Sequence, residues 1–188
     1  MTAENTESTT VYSIGHGNRG SGEFVARLGA AGVGCLVDVR AYPASKRYPQ
    51  FTRLALEPAL RGAGIRYVWE GKALGGMRAA QAGSMHAALS DPTLRGFADH
   101  MASVEFGEGF ARLIAIAREQ TIAVMCAERE PLHCHRSFIA DALLLHGVRV
   151  LHLHDAGDVR QHVLRPEARP LDTKEIVYDS GIQMGLTL

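Results

Sequence analysis

The sequence has few cysteines, no long apolar run and no excess of charge of either sign. Lys plus Arg and Asp plus Glu each number 20, so the formal net charge is zero. This balance excludes the overall basic character that nucleic-acid binding by charge alone requires, but it does not exclude a local basic patch. With 46% hydrophobic and 21% charged residues, the composition is that of a globular protein and excludes a disordered or collagen-like chain.

The sequence predicts neither a membrane span nor an export signal. No apolar run approaches the roughly 18 residues of a membrane span. Residues 1–10, MTAENTESTT, are polar and acidic, whereas a signal peptide begins basic and then turns apolar. We therefore expect a cytoplasmic protein without membrane contact. Its three cysteines, Cys35, Cys126 and Cys134, are odd in number, and we expect them as reduced thiols.

The apolar residues predict strands that alternate with helices. Five short apolar runs are expected as strands: residues 11–15, 35–39, 65–69, 121–126 and 148–153. Because these runs are almost continuously apolar and helical patterns separate them, the sequence predicts an α/β, Rossmann-like three-layer domain with a mainly parallel sheet of about five strands. A strand order of 3-2-1-4-5 would place the ends of strands 1 and 4 side by side and form a ligand crevice there.

The length of 188 residues favours a single domain. We expect residues 1–10 to be a disordered tail, residues 11–153 to form the α/β domain, and residues 154–188 to form an extension packed on it. Within that extension, residues 176–178 are a candidate edge strand.

The segment CAEREPLHCHR, residues 126–136, carries most of the candidate chemistry. A buried strand would deliver Cys126 and Glu128 to the sheet edge, and a helix is predicted over residues 131–146. The first turn of that helix would hold Cys134, His135 and Arg136. Free backbone N–H groups there favour an anion and a thiolate, so Cys134 is the first candidate nucleophile and Cys126 the second.

The spacing of these residues does not predict a metal site. No C-x-x-C or H-x-x-x-H pair occurs, and adjacent residues on a helical turn point about 100° apart. A catalytic or redox metal and a labile disulfide between Cys126 and Cys134 stay open as alternatives. No cofactor is assigned from the sequence.

Two further strand ends carry polar residues. Residues 15–20, GHGNRG, match G-x-G-x-x-G, but the bulky His16 in the turn argues against a dinucleotide site. We interpret this segment as a turn that presents His16 for proton transfer and Asn18 for ligand contact. Asp38 and Arg40 lie two residues apart at the end of strand 2, where they form either an ion pair or a catalytic carboxylate with its orienting cation.

Two loops are candidates for ligand contact. Residues 40–53, RAYPASKRYPQFTR, mix cations with aromatic residues, a pattern typical of nucleotide or single-stranded nucleic-acid contact. A loop that packs on its own aromatic residues is the equal alternative. Ser45 in this loop, and Gly75 and Gly76 in the long loop over residues 70–90, are further candidates for anion binding.

Together these motifs resemble the DUF488 family. The matching blocks run in register from Tyr12 to Leu153: IGHGN, LVDVRAYPAS, PQF, GIRY, LGG, MCAEREPLHCHRSFIADAL and HGVRVLHL. The resemblance implies an α/β domain of bacteria or archaea without a securely established activity. It points to His16, Asn18, Asp38, Arg40, Pro43, Ser45, Phe51, Gly75, Gly76, Cys126, Glu128, Cys134, His135 and Arg136. The chain departs from the family at Gly17, where members usually carry Ser, and so lacks a hydroxyl available for ligand contact.

The leading interpretation is an enzyme that acts on a small anionic, phosphorylated or nucleotide-like substrate in the strand-end crevice. The candidate catalytic residues are Cys134, Cys126, His16, Glu128 and Asp38. The candidate anion-binding residues are Asn18, Arg40, Ser45, Gly75, Gly76, His135 and Arg136. A nucleic-acid or nucleotide-binding module linked to DNA repair is the first alternative, and a thiol or metal redox sensor is the second. The oligomeric state is not predicted.

Overall fold

Six strands form one mainly parallel sheet in the computed structural model, which describes residues 9–179. They are β1 (Thr10–Gly15), β2 (Cys35–Asp38), β3 (Arg66–Trp69), β4 (Ile122–Cys126), β5 (Arg149–Leu153) and β6 (Val159–Gln161). The first five pair in parallel, and β6 pairs antiparallel with β5 at the edge. The predicted α/β class is confirmed. Of the predicted tail, residues 1–8 lie outside the described residues, and β1 already begins at Thr10.

Helices connect the strands on both faces of the sheet. They are α1 (Ser21–Ala30), α2 (Arg53–Gly62), α3 (Gly71–Leu74), α4 (Pro92–His100), α5 (Val104–Glu119) and α6 (Arg136–Leu145). α1 and α2 bury Phe24 and Leu56 on one face, and α5 and α6 bury Phe110 and Phe138 on the other. In the part of the chain that the structure describes, no helix has the length and apolar character to span a membrane.

The strand order is β3-β2-β4-β1-β5-β6, and the predicted order 3-2-1-4-5 is wrong. β4 lies between β2 and β1. All of its residues, IAVMC, are buried, which suits the centre of a sheet that helices cover on both faces. Apolar runs identify such a strand but not the neighbours with which it pairs. The predicted contact between strands 1 and 4 is confirmed, since Gly15 pairs with Cys126.

The chain from residue 131 to residue 146 is not one helix, as the sequence predicted. Pro131–His133 form a short 3-10 turn, Cys134 is extended with φ −139° and ψ 145°, and α6 begins only at Arg136. The break is stabilised by Ser137, whose N–H and hydroxyl both donate to the Cys134 carbonyl, each at 3.0 Å. Cys134 and its neighbour therefore precede the helix instead of lying in its first turn.

Of the predicted extension over residues 154–188, residues 180–188 lie outside the described residues, and the described part packs on the domain through a separate ribbon. β7 (Ala168–Pro170) and β8 (Ile176–Tyr178) pair antiparallel with each other, so residues 176–178 are not an edge strand of the main sheet. The carboxylate of Asp141 on α6 accepts hydrogen bonds from His162 Nε2 at 2.8 Å, the Arg165 N–H at 3.2 Å and the Tyr178 hydroxyl at 3.0 Å. This buried network attaches the extension to the domain.

Candidate functional site

A crevice of about 670 Å³ opens where β1, β2 and β4 end, at the edge of the sheet where the sequence predicts a site. Its polar lining comes from the loops after these strands and includes His16, Asn18, Arg40, Ser45, Arg47, Glu128, Arg129 and His133. Arg47 is exposed and has no acidic partner among residues 9–179, while the aromatic ring of Tyr48 lies 5.4 Å from its guanidinium. Arg47 therefore offers positive charge to an anion, on a rim that also carries the carboxylates of Glu128 and Glu130.

The turn after β1 is shaped by contact with the protein's own backbone. A Cβ on Gly15 would lie 1.7 Å from the Glu128 carbonyl oxygen, so only glycine lets the loop after β4 cross β1 here. Gly17 has a φ of 55°, in the left-handed region that favours glycine. The Arg129 side chain lies against Gly17, the second glycine, where a dinucleotide-binding turn admits the pyrophosphate, and this contact argues against such a site.

His16 is a buried wall of the crevice. Its Nδ1–H donates to the Gly17 carbonyl at 2.9 Å, and its Nε2 faces Nη1 of Arg40 at 3.4 Å. The ring also stacks on Phe51, with centroids 4.3 Å apart. Burial lowers the pKa of His16; the Gly17 hydrogen bond opposes this shift and the Arg40 charge adds to it. His16 is therefore a neutral acceptor for Arg40 at neutral pH.

Asp38 does not line the crevice, but it holds Arg40, which does. The Asp38 carboxylate is fully buried and accepts from the Arg40 guanidinium and from the Tyr67 hydroxyl, the latter at 2.7 Å. Burial lowers the pKa of Arg40, but the hydrogen bonds to Asp38 raise it by more, so the pKa of Arg40 lies above its usual value. Another nitrogen of Arg40 donates to the Phe51 carbonyl at 2.8 Å. Arg40 is thus a fixed cation in the crevice wall.

Two thiols and an imidazole converge beside this wall. Sγ of Cys126 lies 3.8 Å and Sγ of Cys134 lies 3.6 Å from Nδ1 of His135. The Nε2–H of His135 donates to the Val39 carbonyl at 3.1 Å. Because a carbonyl only accepts, this bond fixes the tautomer and leaves the Nδ1 lone pair directed at both sulfurs. The same three atoms form a ligand set suited to soft metals.

The two thiols hold their protons unequally. A hydrogen bond from Cys134, together with the nearby His135 and Arg136, keeps the pKa of Cys126 well below its usual value although burial opposes this shift. That same hydrogen bond and burial raise the pKa of Cys134. Of the two thiols, Cys126 therefore gives up its proton more readily. The sequence favours Cys134 instead, on the assumption of a helix that begins at Pro131.

Arg136 supports the crevice from inside the protein. Its side chain is buried and donates from Nη1 to the Glu128 carbonyl at 2.9 Å and from Nη2 to the Arg129 carbonyl at 3.1 Å. Its backbone N–H also donates to Sγ of Cys134 at 3.4 Å. The residue predicted to bind an anion thus fixes the loop after β4, and it does not line the crevice.

Three other predicted residues do line the crevice. Glu128 is exposed there, and Asn18 accepts from Nη1 of Arg129 at 3.1 Å. The hydroxyl of Ser45 accepts from the Tyr48 N–H at 3.0 Å and so orders the loop after β2. The structure thus brings Asn18, Ser45 and Glu128 together with His16 and Arg40.

Gly75 and Gly76 are not among the lining residues. A Cβ on Gly75 would lie 2.9 Å from Cα of Ala41, and a Cβ on Gly76 would lie 2.3 Å from Nδ1 of His135. Both glycines therefore allow the long loop to pack tightly against the site from the side. Their close contacts are made with the protein, where the sequence predicts contact with a ligand.

Only part of the cationic loop after β2 faces the crevice. Arg47 and the 72% exposed Tyr42 line it. Arg40 is held in an ion pair, and the Arg53 guanidinium lies over the ring of Tyr67, 5.6 Å from its centroid. The loop therefore presents fewer free cations than its sequence suggests.

Three participants are missed by reasoning from the sequence. Arg129 lines the crevice and pairs with Asp155, which also accepts from Nε of Arg19 at 3.0 Å. Arg129 lies within the motif of residues 126–136 and was detectable by its charge. Asp155 has no distinguishing pattern, and the Val39 carbonyl that orients His135 is a backbone group with no residue signature.

Comparison with known proteins extends this picture. A family model described as "Domain of unknown function DUF488" matches residues 21–143, a span that includes Asp38, Arg40, Cys126, Cys134 and His135. No match was found among curated proteins or among solved structures. Because the family model covers more than half of the chain, the resemblance is confirmed: the protein belongs to the DUF488 family.

Proposed function

We propose that this protein is a thiol-dependent transferase or hydrolase that acts on a small anionic substrate in the strand-end crevice. The observation that carries the proposal is the position of Cys126 Sγ, 3.8 Å from Nδ1 of His135, whose tautomer is set by the Val39 carbonyl. A thiol beside an unprotonated imidazole nitrogen is the arrangement of an activated nucleophile.

Cys126 is buried behind the crevice lining at the end of β4, one residue before Ala127, which lines the crevice. The His16 N–H donates to the Cys126 carbonyl at 2.9 Å, which joins this strand end to the crevice wall. The proposal therefore requires that a substrate in the crevice reach the thiol past this lining. Arg47, which has no acidic partner among residues 9–179, suits a phosphate or carboxylate, and Arg129 adds a cation that is already paired with Asp155. A substrate whose anionic group contacts these arginines would direct its neighbouring electrophilic atom toward this strand end.

The proposed reaction has two steps. In the first, Nδ1 of His135 accepts the Cys126 thiol proton, sulfur bonds to the electrophilic phosphorus or carbon, and the leaving group departs with the proton that His135 returns. In the second, water or an acceptor hydroxyl attacks the group on sulfur, the sulfur bond breaks, and the attacking oxygen's proton restores the thiol.

Binding of a nucleotide or of single-stranded nucleic acid is the second candidate function. The observation that favours it is the exposed ring of Tyr42 in the same crevice as Arg47, an aromatic face for a base beside a cation for a phosphate. The thiol arrangement gives no support to pure binding, so we rank it second.

Alkylation of the reduced full chain with limiting iodoacetamide, mapped by mass spectrometry, tests the thiol proposal. We expect Cys126 to be labelled first and Cys35, buried in β2, last. His135→Gln should slow labelling of Cys126 by at least about tenfold. The matched control, His146→Gln, removes an imidazole whose Nδ1 bonds to the Ala142 carbonyl, and it should leave the rate unchanged.

Inorganic phosphate tests whether the crevice and the thiol belong to one site. We expect phosphate to slow labelling of Cys126 in the unmodified protein and to lose this effect in Arg47→Ala. Equal labelling of Cys35 and Cys126 in the folded protein, or labelling of Cys126 that is indifferent to His135, would contradict the proposed function.

A further inference from the structure

We propose that Cys126, Cys134 and His135 form a binding site for a soft divalent transition metal, with zinc as the ion that this ligand set suits best. The three ligand atoms, two sulfurs and one nitrogen, all lie within 4.8 Å of one another. All three cysteines of the chain are free thiols, so both sulfurs are available as ligands. The inference does not rest on the proposed thiol chemistry.

The two separations between sulfur and nitrogen match those of a tetrahedral site. With Zn–S distances of about 2.3 Å and a Zn–N distance of about 2.0–2.1 Å, a tetrahedral ion holds sulfur and nitrogen ligands about 3.6 Å apart. Sγ of Cys134 and Sγ of Cys126 lie 3.6 Å and 3.8 Å from Nδ1 of His135. Both sulfur–nitrogen separations therefore suit one tetrahedral ion, and the two sulfurs lie within 4.8 Å of each other.

The surroundings of His135 are those of a metal-binding histidine. Its Nε2–H donates to the Val39 carbonyl at 3.1 Å, which fixes the ring orientation and directs the Nδ1 lone pair toward the sulfurs. A backbone carbonyl on the far ring nitrogen is the usual outer partner of a histidine that binds a metal. The two thiols and His135 are all less than a tenth exposed, so water competes little for the ion.

The local backbone explains how two adjacent residues reach the same ion. Cys134 is extended, with φ −139° and ψ 145°, and His135 has the right-handed conformation that leads into α6. On a helix, side chains of adjacent residues would point about 100° apart. The sequence predicts a helix over residues 131–146 and therefore no metal site. In the structure Cys134 and His135 precede α6, so this restriction on adjacent residues does not hold.

Metal binding would control the thiols of the proposed enzyme. When a divalent ion binds, both thiol protons pass to solvent and each sulfur donates a lone pair to the metal. Three protein ligands leave one tetrahedral position for water or another small ligand. A sulfur bound to zinc does not attack an electrophile freely, so the metal-loaded protein should resist alkylation at Cys126.

The test is a titration of the reduced full chain with Co²⁺, whose thiolate complexes absorb in the near ultraviolet and visible where zinc complexes do not. We expect one Co²⁺ per chain, a charge-transfer band of two thiolates, and loss of the band when Zn²⁺ is added. Cys126→Ser and Cys134→Ser should each halve the band and weaken binding at least about tenfold. The matched control, Cys35→Ser, removes a thiol outside the cluster and should leave the spectrum unchanged.

A further variant retains all three ligands. A Cβ at Gly76 would lie 2.3 Å from Nδ1 of His135, so Gly76→Ala should displace the imidazole and weaken Co²⁺ binding. Circular dichroism identifies any variant that fails to fold, in which case the remaining variants decide the test. The proposal is overturned if the reduced protein gives no charge-transfer band, or if Cys35→Ser loses as much of it as Cys126→Ser. An intact cobalt spectrum together with a Cys126 thiol that is unreactive in the metal-free protein would contradict only the proposed function.

Discussion

Asp38 and Arg40 form a buried two-point ion pair at the end of β2, with Nε of Arg40 2.9 Å from Oδ1 of Asp38 and Nη2 2.6 Å from Oδ2. The two residues are two positions apart on an extended chain, so their side chains lie on the same side of the sheet. The carboxylate is fully buried and the guanidinium is 6% exposed, so each charge depends on the other for compensation. This pair fixes a permanent cation beside the crevice.

Asp38→Asn should destabilise the protein by about 3–5 kcal/mol, because it leaves the Arg40 charge buried without its partner. Tyr67→Phe is the matched comparison, since it removes one hydrogen bond to the same carboxylate, and it should cost only about 1.5–3 kcal/mol. Urea unfolding measures both values. Equal losses in the two variants would show that the buried Arg40 charge does not depend on the Asp38 carboxylate for compensation.

Arg47→Ala should weaken the affinity of the protein for inorganic phosphate by about tenfold, because an exposed cation in the crevice is lost. Arg53→Ala is the control, as Arg53 lies over Tyr67 and pairs with Glu57 outside the crevice lining, and it should leave the affinity unchanged. Isothermal titration calorimetry provides the measurement. If both variants bind phosphate as the unmodified protein does, the crevice is not an anion site.

The Arg47→Ala variant also tests nucleic-acid binding. If an oligothymidine binds through this loop, Arg47→Ala should reduce the slope of log affinity against log salt by about 0.7, the value for one lost phosphate contact on a single strand. Fluorescence anisotropy at several salt concentrations measures the slope. Absence of binding by the unmodified protein at low salt would remove this candidate function.

Gly15→Ala should unfold or strongly destabilise the protein, by at least about 2 kcal/mol, because its Cβ would lie 1.7 Å from the Glu128 carbonyl oxygen. Gly20→Ala is the control: Gly20 has a φ of −69° and no atom within 4 Å of an added Cβ, so the change should cost less than about 1 kcal/mol. Thermal unfolding compares the two. Equal melting temperatures would mean that the loop after β4 moves aside freely.

The sequence predicts well what depends on local pattern. Apolar runs located five parallel strands, and the strand-end rule located the crevice lined by His16, Asn18, Arg40 and Glu128. The predicted position of β4 in the sheet is wrong. Packing on both faces of the sheet decides which strands pair, and a single apolar run such as IAVMC does not encode that choice.

The arrangement of the thiols depends on contacts that the sequence does not display. The break before α6 rests on the bonds from Ser137 to the Cys134 carbonyl, and the orientation of His135 rests on the Val39 carbonyl. Backbone acceptors carry no residue signature, so neither contact was foreseeable. The inward direction of Arg136 follows from two further carbonyls, those of Glu128 and Arg129.

Stability should fall on acidification through His152. Burial, with the nearby His162 and Arg136, lowers the pKa of His152 from 6.5 to about 3. Between these two pH values the unfolded chain binds a proton that the folded protein refuses, so stability is lost as pH falls through this window, by roughly 1.4 kcal/mol per pH unit. His152→Asn should show a dependence shallower by one proton in urea unfolding at several pH values. Parallel profiles for the two proteins would contradict this assignment.

The carboxylate of Asp141 sets a limit on where the chain can be shortened. Its three donors, from His162, Arg165 and Tyr178, all come from residues beyond β5, whereas the family match ends at residue 143. A recombinant fragment cut after Leu153 would leave this buried carboxyl group without those donors, at a cost that small domains seldom tolerate. We therefore expect a fragment that ends at Leu153 to unfold and one that extends to Tyr178 to fold, so that expression boundaries drawn from the family match alone would be too short.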